Sequence, residues 1–324
     1  MSLSSGFSST GRSTGSPLTV TLHRGSIAES RHRVHAVVCD GRGRVLMAAG
    51  DPGHETFIRS ALKPFQALPF ISSGAAAQMD VGDRGLAISS ASHCGSTLHA
   101  REAFKLLWNA DLDANHLQCP VPSWGDSPLQ HNCSGKHAAF LATCRKMGWP
   151  LESYLQPDHP LQQEIQRRVA ELLGLPAQEL VAARDDCGAP TLRLQLAQMA
   201  LLFAHLGASQ HAELEQISRA MLSHPDLVAG DGRFDTELMS RSHGQVLSKG
   251  GAEGVQCLSR IGEGLGVAIK VEDGARRAKQ AVALHLLREL DWLTPTSLDE
   301  LEQQVLHVND DVSLAVSGNL RQTS

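Results

Sequence analysis

Ser60 and Lys63 are the first residues whose types and spacing suit nucleophilic catalysis. On a helix, a spacing of three places both side chains on one face, with the amine one turn from the hydroxyl. A lysine acts as a base only when it is neutral, which requires a pKa about three units below its usual ~10.4. The pair is therefore a candidate nucleophile and base. The alternative is a helix start with a serine cap and a solvated lysine.

Two later positions complete a recurring order of motifs. Ser92 lies in a small polar segment after an apolar run, and it is a candidate second nucleophile or proton relay; a serine-rich turn is the alternative. Lys249 precedes Gly250 and Gly251 at the end of a predicted strand, where glycines let a substrate lie against the strand edge. The order S-x-x-K, loop serine and Lys-small-Gly is that of penicillin-binding proteins and serine β-lactamases.

A separate group of residues has the donor atoms of a metal site. Cys133 and Cys187 can supply two thiolates to a divalent metal, with a nitrogen of Lys136 or His137 as the third ligand. A lysine must lose its proton before it can bind a metal, which favours His137 on chemistry alone. Two buried structural cysteines are one alternative, and a reactive Cys133 at a helix start is another.

Charge and composition exclude several classes of function. The chain has 324 residues, with 29 Lys and Arg against 34 Asp and Glu, a net charge of −5. No basic stripe for a phosphate backbone is present, so we expect no nucleic-acid partner. The apolar runs are shorter than the ~18 residues that span a bilayer, so we expect no membrane partner.

The seven cysteines and the chain start indicate a compartment. The cysteines are odd in number and scattered, and the start has no apolar leader segment. We therefore expect a cytoplasmic protein. Residues 1–16 are rich in Ser, Gly and Thr and are predicted to form a disordered tail. Residues 17–324 are predicted to form a single domain.

Periodicity supplies the elements that must position these side chains. Alternating patterns at 18–23, 31–39 and 44–49 predict strands, and the Asp40-Gly41 turn predicts a hairpin. Three- and four-residue spacing predicts helices through the middle, and strand patterns return at 244–247, 254–260 and 266–271, followed by a helix to about residue 292. The predicted helices are 60–72, 99–110, 134–147, 160–173, 190–206, 212–223 and 234–242.

These patterns predict an α/β (α+β) fold. A mixed, largely antiparallel sheet would come from both chain ends, about 17–55 and 243–324, with a central helical lobe at about 60–242. This architecture is similar to that of serine β-lactamases and penicillin-binding proteins.

Several ordered blocks of sequence together resemble one family, the rhizobial-type (class 3) L-asparaginases. The resemblance covers most of the chain and implies hydrolysis of the L-asparagine side-chain amide on a serine β-lactamase-like fold, usually as a homodimer. The blocks are residues 29–38, 59–66, 90–93, 132–137, 157–160, 224–230 and 270–274.

The resemblance also implies roles for individual residues. Two Ser–Lys tandems fall on Ser60 with Lys63 and on Ser92 with Lys249. The zinc ligands of the family fall on Cys133, Lys136 and Cys187, so His137 becomes a fallback ligand or a substrate contact. Cys94 stands where a more polar residue is expected.

Asparagine is a zwitterion, so its pocket needs charges of both signs. Asp185 is the candidate for its ammonium group and Arg59 or Arg233 for its carboxylate, with His93 and His137 as further contacts. Surface salt bridges are the alternative for the charged residues. Two rival functions remain: a β-lactam or peptide amidase using the same motifs, and a non-catalytic zinc- or redox-sensing module.

Overall fold

Strands from both ends of the chain form one large antiparallel sheet. The computed structural model describes residues 15–208 and 210–323, so the predicted tail lies almost wholly outside the described residues. The strands are β1 (Leu18–Arg24), β2 (Ile27–Asp40), β3 (Val45–Ala49), β4 (Glu55–Phe57), β5 (Val181–Arg184), β6 (Pro190–Gln195), β7 (Val246–Gly250), β8 (Val255–Arg260), β9 (Leu265–Val271), β10 (His307–Asn309), β11 (Val312–Ser317) and β12 (Arg321–Gln322).

The main sheet has the order β10-β11-β1-β2-β9-β8-β7, and β3 pairs with both β2 and β12. Its β2–β3 hairpin turns at Asp40, where the Gly43 N–H donates to the Asp40 carbonyl at 3.0 Å. The predicted mixed α/β fold, with a sheet from both chain ends, is confirmed.

Helices fill the middle of the chain and close its end. Short 3-10 turns interrupt them, the first of those described at Arg59–Leu62. The α-helices are α1 (Lys63–Gln66), α2 (Leu68–Ser72), α3 (Ala75–Gln78), α4 (Asp83–Ser89), α5 (Thr97–Asn109), α6 (Ser134–Met147), α7 (Pro160–Leu173), α8 (Leu196–Gly207), α9 (Ala212–Ser223), α10 (Pro225–Val228), α11 (Phe234–Arg241), α12 (Arg276–Glu289) and α13 (Pro295–Val305).

The sheet is covered on both faces, and β2 shows how the sequence specifies this. Its residues Val34, Ala36 and Val38 pack in the cluster that includes α12, whereas Val37 and Cys39 pack in the cluster that includes α8. Side chains of a strand alternate between faces, so a continuous apolar run is buried on both. The helical lobe therefore packs on one face and the C-terminal helices on the other.

The prediction of one helix over residues 190–206 is wrong in its first part. Strand β6 takes up Pro190–Gln195, and helix α8 begins only at Leu196. Leu192 and Leu194 are buried while Arg193 between them is exposed, a period of two that is easily mistaken for helical spacing in a short window. β6 pairs with β4 and β5 in a second sheet, of which β5 and β6 lie inside the region predicted to be helical and β4 lies just before it.

The segment predicted as a helix over 60–72 is divided into short pieces. A 3-10 turn leads into α1 and α2, which have Pro64 and Pro69 in their first turns. Proline fits the first turn of a helix but cannot donate a hydrogen bond further in. Among the residues described, no helix is both long and apolar enough to cross a membrane.

Candidate active site

Two buried lysines from different elements meet at one serine. Lys63 Nζ lies 2.9 Å and Lys249 Nζ 2.8 Å from Ser92 Oγ. Lys63 comes from α1 and Lys249 from the edge strand β7, whereas Ser92 follows α4 and is partly exposed. The structure therefore places a hydroxyl that solvent can reach against two amines that it cannot.

The two predicted tandems form one branched array. Lys63 also donates to the carbonyls of Ala91 at 2.6 Å and Asn132 at 3.2 Å, which draw its amine toward Ser92. Ser60, partly exposed in the 3-10 turn, makes no side-chain hydrogen bond to Lys63 within residues 15–208 and 210–323. The predicted Ser92–Lys249 contact is present, whereas the predicted Ser60–Lys63 contact is replaced by Ser92–Lys63.

Burial lowers the proton affinity of the Lys249 amine. Removal of the amine from water, with smaller contributions from the Lys63 and Lys279 ammonium groups, lowers the pKa of Lys249 to about 7. The Asp235 carboxylate acts in the opposite direction. A neutral Lys249 is thus available near pH 7 to accept a proton from Ser92.

Arg59 and Asp185 were predicted to bind opposite ends of a zwitterionic substrate. In the structure they form an ion pair with each other. Arg59 Nε lies 2.7 Å from Asp185 Oδ1, and its Nη2 lies 2.6 Å from Asp186 Oδ2. Although burial opposes it, the paired Asp185 carboxylate raises the pKa of Arg59. Arg59 has a left-handed backbone with φ of 53°, directly before Ser60. The ion pair therefore fixes the turn that presents Ser60.

The predicted metal ligands come together at the start of α6. Lys136 Nζ lies 3.2 Å from Cys187 Sγ, and both side chains are buried. The neighbouring Cys133 side chain, followed by the charge of Lys136, lowers the pKa of Cys187 far below its usual range, while the Cys133 thiol donates to Asn132 Oδ1 at 2.9 Å. Cys187 is therefore a thiolate and Cys133 a thiol. Although burial opposes it, the thiolate raises the pKa of Lys136.

His137 joins this cluster from the next position of α6. Its Nδ1 is 2.7 Å from the Tyr154 hydroxyl, while its buried Nε2 has no hydrogen-bond partner in the described parts of the chain. Burial lowers the pKa of His137, and the Cys187 thiolate opposes that shift. A neutral imidazole with a free ring nitrogen thus lies beside two sulfurs and an amine.

His93 lies beside the Ser–Lys array, because burial, followed by the charges of His99 and Lys63, lowers its pKa. Arg233 lies apart from these groups. His93 Nδ1 accepts from the Gly95 N–H at 3.1 Å, its Nε2 lies 3.0 Å from Ser134 Oγ, and its ring stacks on His99. Both of its ring nitrogens are therefore bonded within the protein. Arg233 is exposed directly before α11, and its side chain contacts none of the other candidates in the region described.

Sequence reasoning missed Asp235, Lys279 and Tyr154. Asp235 and Lys279 influence Lys249, and Tyr154 bonds to His137. Lys279 had a readable signal, because it shares the apolar i, i+3, i+4 stripe of α12 with Val282 and Ala283. Asp235 and Tyr154 had none, since their partners are distant in the chain.

Free thiols account for all seven cysteines. Within residues 15–208 and 210–323, no group of three or more His, Cys, Asp and Glu side chains is arranged to hold a metal ion. The cluster at the start of α6 differs from such a group because it includes a lysine amine.

Comparison with known proteins identifies the family. A search of curated proteins found no match. Among solved structures, the native form of Mglu is 14% identical with a TM-score of 0.41, and the likeness covers 81% of this chain and 61% of the Mglu chain. A β-lactamase from Mycobacterium bovis is 13% identical with a TM-score of 0.38, covering 81% of this chain and 95% of that one. The sequence model of L-asparaginase II matches residues 20–322. Because that match covers nearly the whole chain, this protein belongs to the L-asparaginase II family.

Proposed function

We propose that this chain hydrolyses the side-chain amide of L-asparagine to L-aspartate and ammonia. Membership of the L-asparaginase II family supports amide hydrolysis. The observation that carries the proposal is the approach of two buried amines to Ser92 Oγ at 2.8 and 2.9 Å. Such an array can move a proton to and from a serine hydroxyl, as acyl transfer requires.

In the proposed mechanism Ser60 attacks the amide carbonyl carbon and Ser92 relays protons. Lys63 first passes a proton through Ser92 to the neutral Lys249 amine, and its freed amine then takes the proton of Ser60 Oγ, three positions earlier in the chain. Ser92 connects that amine to Lys249, so the proton can pass through the array to the departing ammonia. Water then hydrolyses the aspartyl ester on Ser60 and releases aspartate.

Ammonia release by three proteins tests this assignment. Wild type is expected to release ammonia from asparagine, and Ser60→Ala to lose at least about a thousandfold in kcat and form no covalent ester. Ser92→Ala should also lose turnover, because it removes the relay to the departing ammonia, and any ester that it still forms should lie on Ser60, located by peptide mass spectrometry. An ester that forms in Ser60→Ala would make Ser92 the nucleophile.

Two further substrates separate the rival functions. Nitrocefin reports a β-lactamase, and a peptide amide reports a peptide amidase. Turnover of either with none of asparagine would replace the proposal by the amidase alternative. Metal affinity without turnover of any amide would favour the non-catalytic zinc- or redox-sensing module.

The ion pair beside Ser60 is the proposed site for the charged groups of the substrate. Arg59 and Asp185 are complementary to a carboxylate and an ammonium group, and both are mostly buried, with side-chain exposures of 15% and 11%. When an amino acid binds, its carboxylate would pair with Arg59 and its ammonium group with Asp185, in place of the ion pair between the two side chains. His93 and Arg233 remain candidate contacts on the sequence resemblance alone.

We also propose that the cluster at the start of α6 binds zinc. Cys133, Lys136 and Cys187 supply two sulfurs and an amine, and three protein donors leave the fourth position of the metal open for the substrate. This donor set fits the tetrahedral S and N coordination that zinc takes in proteins. Bound zinc would act as a Lewis acid that orients the α-groups of the substrate. The Ser–Lys array already supplies a nucleophile.

Chelation tests the role of the metal. Because zinc is assigned to substrate binding, its removal should raise KM by more than it lowers kcat. Metal content is measured in the same samples, and Cys187→Ser should lose zinc without chelator. Complete loss of kcat with unchanged KM would instead assign zinc to activation of water.

The homodimer and the cytoplasmic location implied by the sequence remain predictions. Sedimentation equilibrium tests the first, with an expected mass of twice 34.7 kDa.

A further inference from the structure

Asp235 lies behind β7, the strand that carries Lys249, and binds that strand at two points and the neighbouring strand β8 at one. Its carboxylate accepts from Ser248 Oγ at 2.7 Å, from the Gly250 N–H at 2.9 Å and from Gln256 Nε2 at 2.8 Å. Ser248 and Gly250 are the two chain neighbours of Lys249. Asp235 therefore fixes the backbone on both sides of the lysine whose amine reaches Ser92.

Lys279 of α12 approaches the same place. Its amine donates to the carbonyls of Gly251 at 2.6 Å and Val255 at 2.9 Å. A Cβ placed on Gly250 would lie 3.1 Å from Lys279 Nζ and 3.3 Å from Asp235 Oδ2. The carboxylate and the ammonium group thus face each other at Gly250, the residue after Lys249.

The other ionisable groups near Lys249 come from three elements. Lys63 of α1 adds a second amine, and the Cys133 and Cys257 thiols lie before α6 and on β8. Burial raises the pKa of Cys257, so that thiol stays protonated. Asp235 is consequently the one nearby carboxylate that influences Lys249 within residues 15–208 and 210–323, against the amines of Lys63 and Lys279.

We propose that Asp235 and Lys279 are positioning residues of the Ser92–Lys249 pair: Asp235 holds β7 so that the Lys249 amine reaches Ser92, and the two opposed charges set the basicity of that amine. This inference rests on the proposed function. Three amines cannot all stay charged in a buried site beside one carboxylate without a large desolvation cost. A base works best when its pKa lies near the working pH, and the balance of these charges achieves that for Lys249.

Two substitutions of opposite sign test the proposal. Asp235→Asn removes the charge that stabilises the Lys249 ammonium, so the acid limb of kcat/KM should move down by about 1 pH unit. Lys279→Gln removes a repelling charge, so the same limb should move up. Burial lowers the pKa of Lys279 to about 8, so this amine is mostly charged at the midpoint of the acid limb near pH 7.

Controls separate charge from packing. Ser248→Ala removes one hydrogen bond to Asp235 without changing a charge. The acid limb of its kcat/KM profile should therefore lie at the same pH as that of wild type. Asp235→Glu keeps the charge and should restore the wild-type limb even where kcat falls. If Asp235 were only structural, Asp235→Asn, Asp235→Glu and Ser248→Ala would all lower the rate, and none would move the acid limb of kcat/KM.

A second readout does not depend on asparagine turnover. The NMR shift of the Lys249 Cε in protein labelled with 13C-lysine, followed across pH and assigned with Lys249→Arg, reports the protonation of this amine directly. If the midpoints move as expected but wild type releases no ammonia, the charge balance stands and the proposed function fails. If wild type is active and neither limb nor midpoint moves, the inference fails. Should Asp235→Asn not fold, Lys279→Gln and Asp235→Glu decide it by the same measurements.

Discussion

Lys249 is the residue whose protonation links pH to rate. Its neutral form is the proposed proton acceptor for Ser92, and burial lowers its pKa to about 7. Protonation below that value removes the acceptor, so kcat/KM for asparagine should rise with pH through about 7 and level off above it. The measurement is ammonia release between pH 5 and pH 9. A profile flat from pH 5 to pH 8 would contradict this role of Lys249.

Arg59 combines an unfavourable backbone with an ion pair, and the two effects can be separated. Its φ of 53° suits glycine better than any residue with a Cβ. Arg59→Ala and Arg59→Gly both lose the contacts to Asp185 and Asp186, but glycine avoids the strain. Arg59→Gly should therefore be more stable than Arg59→Ala by about 1 kcal/mol in denaturant unfolding. Equal stabilities would show that the turn carries no strain.

Residue types and order along the chain indicated most of the candidate site, but not its internal contacts. Ser92, Lys249 and the three proposed zinc ligands were chosen from short motifs or from the family resemblance. The bond between Lys63 and Ser92 joins residues 29 positions apart in sequence and depends on how α1 packs against the segment after α4. Spacing within a helix predicted Ser60 as its partner, because local geometry is all that spacing encodes.

The packing of α8 on the sheet depends on a missing side chain in β9. A Cβ on Gly266 would lie 2.0 Å from the Ala200 carbonyl oxygen and 2.4 Å from the Ala204 nitrogen, both in the backbone of α8. Gly266→Ala must therefore push helix and strand apart, and it should cost about 3 kcal/mol. Gly82→Ala is the control, since nothing lies within 4 Å of its Cβ. Thermal unfolding of both variants measures the difference, and equal melting temperatures would contradict so close a contact.

Long elements with a clear period were predicted well, and short ones were not. Helices α6 and α7 were predicted at their observed bounds because each has regularly spaced apolar residues and ends before a left-handed glycine. β4 and β5 have three and four residues, and the burial pattern of β5 is exposed throughout. Such strands exist because β6 offers them a partner, and neither leaves a hydrophobic pattern in its own sequence.

At the scale of the whole molecule, strands from the two ends of the chain pair with each other in the main sheet. β1 pairs with β11 over six residue pairs, from Thr19 opposite Ser317 to Arg24 opposite Val312. Yet every candidate catalytic and binding residue lies between positions 59 and 249. The strands that close the sheet therefore serve the site only through the packing of the core. Contacts between such distant segments form late and hold the fold together cooperatively.

Removing the last strands should unfold the protein without touching a candidate site residue. A chain that ends at residue 305 loses β10, β11 and β12, and with them Val312, Leu314 and Leu320 from the core cluster that contains Val20. Each buried side chain is worth about 2 kcal/mol, so the loss approaches a typical total stability of about 5–15 kcal/mol.

Circular dichroism and ammonia release measure the outcome in the same sample. The full-length variant Ala315→Ser changes an exposed position of β11 and should match wild type in both. A truncated chain that keeps its melting temperature and its activity would show that β1 does not need β11. A truncated chain that folds but is inactive would mean that the end strands shape the site itself, because the core would have survived their loss.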